Sequence, residues 1–143
     1  MNSKERLQKN LRFIQTDRPP IFASFTAQAA EKLYRYFGME PQKPLDSPLS
    51  SLRISFQDLL IKLGADCLCV AACAPDNTPT TQSVDGLSIN EWGIGTRSTG
   101  LYDEFALFPL SHAESKKDIE QYSFPDPNAP GRFRFAEQTV KQS

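Results

Sequence analysis

Residues 67–73 carry no charge and no alternation of polar and apolar side chains. A strand wetted on one face alternates, whereas a strand covered on both faces reads as an unbroken apolar run. Such a strand needs neighbours and covering layers, and in α/β folds helices supply them. The upstream sequence offers both. Leu52, Phe56, Leu59, Leu60 and Leu63 fall on one helical stripe that Gly64 ends. Before it, Ala30, Leu33, Tyr34 and Phe37 form a second stripe, with Thr26 placed to cap its start and Gly38 its end. The short apolar run at 21–25 is of strand type. The first half therefore alternates β, α, α, β, which predicts α/β architecture.

A helix precedes this unit. Over 3–14, Leu7, Leu11 and Ile14 share a face, and Asn2 with Glu5 has the spacing of a capping box. Lys4, Arg6, Lys9 and Arg12 fill the other faces, which reads as a solvated basic surface. Asp17-Arg-Pro-Pro20 stops the helix, because each proline disfavours helix in the residue before it. Residues 39–50 have loop chemistry.

The second half is different in kind. Residues 74–83 are a polar connection, and Val84-Asp-Gly-Leu87 carries the Asp-Gly signal of a tight hairpin leading into 88–94. A further apolar run covers 101–110, and one or two helical turns are expected over 114–121. Three prolines within 125–130 make a rigid irregular loop. A helical pattern begins at 136 and runs to 143.

The chain has 143 residues, a length that suits one domain. Its 16 Lys and Arg against 17 Asp and Glu leave a net charge of −1, which gives no electrostatic footprint for nucleic acid or an anionic membrane. No segment approaches the ~20 apolar residues of a spanning helix. The polar residues 1–13 lack the apolar core of a signal peptide, so a cytoplasmic protein is expected. Three cysteines are too few for a disulfide scaffold.

Phosphate loops, dinucleotide fingerprints and nucleophile elbows are absent from the sequence. The only histidine, His112, lies in a Pro-Leu-Ser-His-Ala-Glu-Ser run and is expected to be exposed or capping. Cys67, Cys69 and Cys73 share a strand parity. Six residues of strand span about 20 Å, too far for Cys67 and Cys73 to hold one zinc ion. Core packing is expected for the first two. Cys73 stands at the strand's C-terminal end, where parallel α/β folds bind ligands. Glu91 beside Trp92, the sole tryptophan, fits either a pocket or the packing of a hairpin. Asp103 and Glu104 are adjacent on a strand and so face opposite ways.

The order of the segments resembles the N-terminal part of the uroporphyrinogen decarboxylase superfamily. The matching pieces are Ser3-Lys-Glu-Arg6, Asp17-Arg-Pro-Pro-Ile21, Leu63-Gly-Ala-Asp66, Glu91-Trp-Gly-Ile94 and Phe108-Pro-Leu-Ser-His-Ala-Glu-Ser115. Asp118-Ile-Glu-Gln-Tyr-Ser-Phe-Pro-Asp-Pro127 and Pro130-Gly-Arg132 complete the set. The branch it looks most like is grouped with cobalamin-dependent methyltransferases. The resemblance implies the start of a (β/α)8 barrel, cut short, since a whole barrel needs about 250 residues. Residues 1–73 would hold the first helix and βα units, 74–135 a hairpin-rich insertion, and 136–143 the start of a severed helix.

Uroporphyrinogen decarboxylases carry an Arg-Gln-Ala-Gly-Arg motif after the first strand, whose arginines bind substrate carboxylates. Here Phe25-Thr-Ala-Gln-Ala29 stands in that place, without arginine. The aspartate that ends their second strand is matched by Cys73. On this resemblance Phe25, Thr26, Cys73, Glu91 and Trp92 are the substrate-pocket candidates, and no catalytic residue is assigned. The intact parent would act in corrinoid-dependent methyl transfer, with zinc bound in a C-terminal part that this chain lacks. The chain itself is expected to hold no cofactor and to be inactive alone. A second polypeptide completing the barrel, or a corrinoid protein, is the implied partner. The alternatives are porphyrinogen decarboxylation in heme biosynthesis, half of a split enzyme, and a non-catalytic binding module.

Overall fold

A computed structural model describes residues 1–47, 50–83, 85–100 and 102–142. It combines six helices with a four-stranded antiparallel sheet among those residues. The chain divides into two compact units, Met1–Leu45 with Ser50–Val70 and Asp46–Leu49 with Ala71–Ser143. Among the described residues, no helix is long and apolar enough to cross a membrane.

The first unit is helical. Helix α1 (Ser3–Leu11) starts from the expected capping box: the Glu5 amide donates to Asn2 Oδ1 at 2.8 Å, and the Asn2 amide to Glu5 Oε2 at 3.2 Å. Helix α2 (Ala27–Phe37) starts at Thr26, whose hydroxyl accepts from the Ala29 amide, and ends at Gly38 in the left-handed conformation, φ +62°. Both ends follow from the chemistry of the capping residues. The core gathers Ala30 and Tyr34 of α2 with Phe56 and Leu59, and Phe25, Leu33, Phe37 and Met39 pack around them. The Tyr34 hydroxyl donates to Asp58 at 2.7 Å, and burial followed by that carboxylate pushes the phenol well above its usual pKa.

Three expectations are corrected in this unit. The apolar face predicted over 3–14 is only partly covered: α1 ends at Leu11, Leu7 is half-buried, Leu11 is 71% and Ile14 50% exposed, and the residue that α1 buries is Arg6, expected in solvent. A guanidinium goes inside when carboxylates meet it there, as they do for Arg6. The single helix predicted over 52–63 is two, α3 (Ser51–Ile54) and α4 (Gln57–Lys62), broken at Phe56 with φ +60°. Last, neither 21–25 nor 67–73 is a strand. A backbone bond runs from the Asp66 amide, just before the second segment, to the Ile21 carbonyl at 2.8 Å. A single rung is not a ladder, and a parallel strand holds only between neighbours that repeat the pairing.

In the second unit the sheet runs β1 (Thr81–Gln82), β2 (Ser88–Ile89), β3 (Gly95–Ser98) and β4 (Asp103–Leu107), in sequence order and antiparallel throughout. The expected Asp-Gly turn joins β1 to β2, with Gly86 at φ +73° and its amide bonded to the Ser83 carbonyl. Val84 of that hairpin, Leu101 of the predicted 101–110 run, Pro48 and Leu49 of the predicted loop and Ser143 lie outside the described residues. Helix α5 (Lys116–Gln121) opens with a Ser115–Asp118 capping box. Helix α6 (Arg134–Gln142) starts two residues before the predicted position.

Gly95 is buried where β2, β3 and β4 meet. A Cβ there would lie 2.8 Å from the Leu107 Cβ and 3.0 Å from Ile89 Cδ1, and a bulge separates Gly95 from Thr96. Gly95→Ala is therefore expected to destabilise the second unit by about 1–3 kcal/mol through overpacking. Urea unfolding followed by Trp92 fluorescence checks it, and an unchanged midpoint refutes the crowding argument.

Candidate functional site

In the second unit the Glu91-Trp92-Gly93 segment forms the tip of the β2–β3 hairpin. Asn90 shapes the tip: its side-chain oxygen accepts from the amides of Trp92 at 3.0 Å and Ile94 at 3.1 Å. Gly93 takes φ +69°, a conformation that costs a residue with a Cβ, and bonds back to the Asn90 carbonyl at 2.9 Å. The Tyr122 hydroxyl, just beyond α5, donates to the Trp92 carbonyl at 2.5 Å. This fixes the tryptophan backbone from the far side.

The Glu91 carboxylate is 2% exposed and meets the Arg132 guanidinium, 7% exposed, in a two-pronged pair at 2.7 and 2.5 Å. Arg132 also donates from Nε and Nη2 to the Asp126 carbonyl, at 3.1 and 2.8 Å. Its own carbonyl accepts from the Cys73 amide at 2.9 Å. The hydrogen bonds to Glu91 hold the guanidinium above its usual pKa against the opposing effect of burial. Glu91 has both carboxylate oxygens engaged by this guanidinium. It works as a clamp between the hairpin tip and the proline-rich loop.

Cys73 is half-buried. Burial and then the charge of Asp46 push its thiol up, so at neutral pH it is protonated and weakly nucleophilic. Arg132 thus joins two of the candidates, Cys73 through its backbone and Glu91 through its side chain. Trp92 instead lines an apolar cleft of about 440 Å³ with Ile94, Phe108, Leu110, Tyr122 and Phe124. A more polar cavity of about 400 Å³ lies against Glu91, Arg132, Asp126, Ser123 and Thr78. Those volumes suit a small molecule.

Phe25 and Thr26 belong to the first unit, where one packs on the core and the other caps α2. That unit's densest polar cluster lies elsewhere. The Asp66 side chain is fully buried and accepts from Arg6 Nη1, from Arg18 Nη1 at 2.5 Å and Nη2 at 3.2 Å, and from the Ile21 amide at 2.9 Å. Arg6 in turn grips Asp17, at 2.7 Å from Nε and 2.9 Å from Nη2. Burial alone would raise the Asp66 pKa, but the bonds from Ile21, Arg18, Ser3 and Arg6 outweigh it and hold the carboxyl well below the usual range. The hydrogen bonds from Arg6 depress Asp17 likewise, against the effect of burial.

Arg6, Asp17, Arg18 and Asp66 each stand in a short sequence motif, and no motif pairs them across the chain. The signal was present in the Asp17-Arg-Pro-Pro and Gly-Ala-Asp66 segments, but nothing in linear order says which charge meets which. His112 is exposed on a turn, as expected. Among the described residues, no three His, Cys, Asp or Glu side chains gather as a metal site.

Set against known proteins, the chain matches no family model, no curated protein and no solved structure.

Proposed function

We propose that this chain is the N-terminal part of a uroporphyrinogen decarboxylase-like (β/α)8 barrel whose intact parent acts in corrinoid-dependent methyl transfer, the chain being inactive alone. The observation that carries this reading is a convergence. The pieces on which the resemblance rests are scattered from residue 3 to residue 132, yet six of their twelve charged residues fall into two contact sets. Arg6, Asp17, Arg18 and Asp66 form one, and Glu91 with Arg132 the other.

On this reading the side-by-side placement of Ile21 and Asp66 marks the starts of two neighbouring barrel strands, which would gain full ladders only beside further βα units. The methyl-transfer branch is favoured over porphyrinogen decarboxylation because 25–29 offers no guanidinium for a polyacidic substrate. The described residues do not fit the zinc that the branch uses. The sole histidine is exposed on a turn, and the Cys73 thiol is pushed up rather than down. No chemical step is therefore assigned to this chain through a metal.

The test is complementation. The chain is mixed with a polypeptide supplying the remaining βα units, and methyl transfer from methylcobalamin to a thiol is followed by cobalamin absorbance. Turnover by the mixture and none by the chain alone is the expected result. Decarboxylation of uroporphyrinogen by the mixture would replace the methyl-transfer assignment. No association and no turnover would leave a non-catalytic module.

A further inference from the structure

The two cavities of the second unit share a wall, because Phe124 lines both. Around it the chain sorts its side chains by chemistry. At the hairpin tip Trp92 lines one cavity and its neighbour Glu91 the other, and beyond α5 Tyr122 and Ser123 divide in the same way. The cavity of about 440 Å³ is aromatic, with Trp92, Phe108 and Tyr122 around it, and no charged residue lines it. Its two hydroxyls are engaged within the protein: Tyr122 donates to the Trp92 carbonyl at 2.5 Å, and Ser111 Oγ to the Phe108 carbonyl at 2.8 Å. A lining of this kind suits an aromatic ring.

The cavity of about 400 Å³ is polar. Thr78 and Ser123 bring hydroxyls to it, and the charged residues that line it are Glu91, Asp126 and Arg132. Glu91 and Arg132 neutralise each other in their two-pronged pair, and Arg132 Nε and Nη2 also reach the Asp126 backbone carbonyl. The Asp126 carboxylate accepts from the Asn128 amide at 2.8 Å. Two acids against one base leave this lining a net negative charge, which attracts a cation and repels an anion.

We infer that the two cavities together bind a small organic cation, with an aromatic ring seated against Trp92 and Tyr122 and joined across Phe124 to an ammonium head received by Asp126 and Ser123. Neither wall has to be assembled on binding. The Tyr122–Trp92 bond fixes the aromatic side and the Glu91–Arg132 pair the polar side, which lowers the ordering cost of association. Both cavities lie within the second unit, so the inference does not rest on the barrel reading and applies to the chain by itself.

The experiment is NMR on the full chain, following the Trp92 indole and Ser123 amide resonances as phenylbutylamine, phenylbutanol or phenylbutyrate is added. The three probes share a ring and differ in the charge of the head. Phenylbutylamine should move both resonances along one saturating curve. Phenylbutanol should bind about fivefold more weakly, and phenylbutyrate more weakly still. Asp126→Asn keeps the backbone carbonyl that holds Arg132 and should remove the advantage of the amine over the alcohol. Phe124→Ala, at a ring that is 60% exposed, should weaken all three probes. Equal binding of the three probes to the native protein overturns the inference. So does movement of the Trp92 resonance without that of Ser123, which is ring binding in the aromatic cleft alone, and so does the absence of any saturating curve. The probe series on the native protein decides the matter even where a variant fails to fold.

Discussion

Asp66→Asn is expected to abolish the cooperative unfolding of the first unit at neutral pH. The carboxylate is fully buried and meets both Arg6 and Arg18, while also accepting the Ile21 amide. Asparagine is nearly isosteric but brings an NH2 of its own to a site crowded with donors. It leaves one guanidinium to seek water from a buried position. The effect should appear as lost hydrogen-exchange protection at the amides of α2 and α4, with protection in the sheet of the second unit retained. Native-like protection in α2 would show that Arg6 is satisfied by Asp17 alone.

The same cluster sets an acid limb. Asp17 and Asp66 both have folded-state pKa values below those of the unfolded chain. At falling pH the unfolded state takes up protons first. The stability these two carboxylates contribute is complete above an ordinary carboxylate pKa, near about 4, and is lost progressively below it. A first unit equally stable at pH 3 and pH 6 would contradict this.

Arg132→Met has the second large effect. It leaves the Glu91 charge buried at 2% exposure without its cation and the Asp126 carbonyl without its two donors. Breaking a buried pair from one side costs about 3–5 kcal/mol, comparable to the whole stability of a small domain. Trp92 is covalently next to Glu91, so its emission should move toward that of a solvated indole. Replacing both partners, Glu91→Leu with Arg132→Leu, should cost markedly less, because no charge is then stranded. If the double variant is as unstable as the single one, the pair does not act as a unit.

Local chemistry was the legible part of the sequence. Asn2 with Glu5, Thr26 and Gly38 marked helix ends because a cap is decided by one residue and the backbone beside it. Asp85-Gly86 marked a turn for the same reason. Partnership at a distance was not legible. Arg6 read as solvent-facing because its carboxylates are 11 and 60 positions away. The apolar runs at 21–25 and 67–73 read as strands because composition reports burial preference and not the presence of a neighbour. The 51–63 break was hidden too, since the packing of Phe56 with Ala30, Tyr34 and Leu59 overrides the periodicity. At the candidate site, Glu91 and Trp92 stand out in the sequence as a carboxylate beside the sole tryptophan, but Arg132, which employs Glu91, is visible only as the end of a Pro-Gly-Arg motif.

Both ionic clamps join residues far apart in the chain, 60 positions for Arg6 and Asp66 and 41 for Arg132 and Glu91. This bears on the order in which the molecule can assemble during synthesis. Helix α1 leaves the ribosome with a guanidinium whose buried carboxylate has not yet been made, so it has no reason to dock until the Gly-Ala-Asp66 segment follows. The hairpin around Glu91 likewise waits for the proline-rich loop. Closing loops of that length is slow compared with forming a helix, and the apolar faces on either side stay open meanwhile. Nascent chains arrested before Asp66 should therefore be bound by chaperones far more than chains arrested after it.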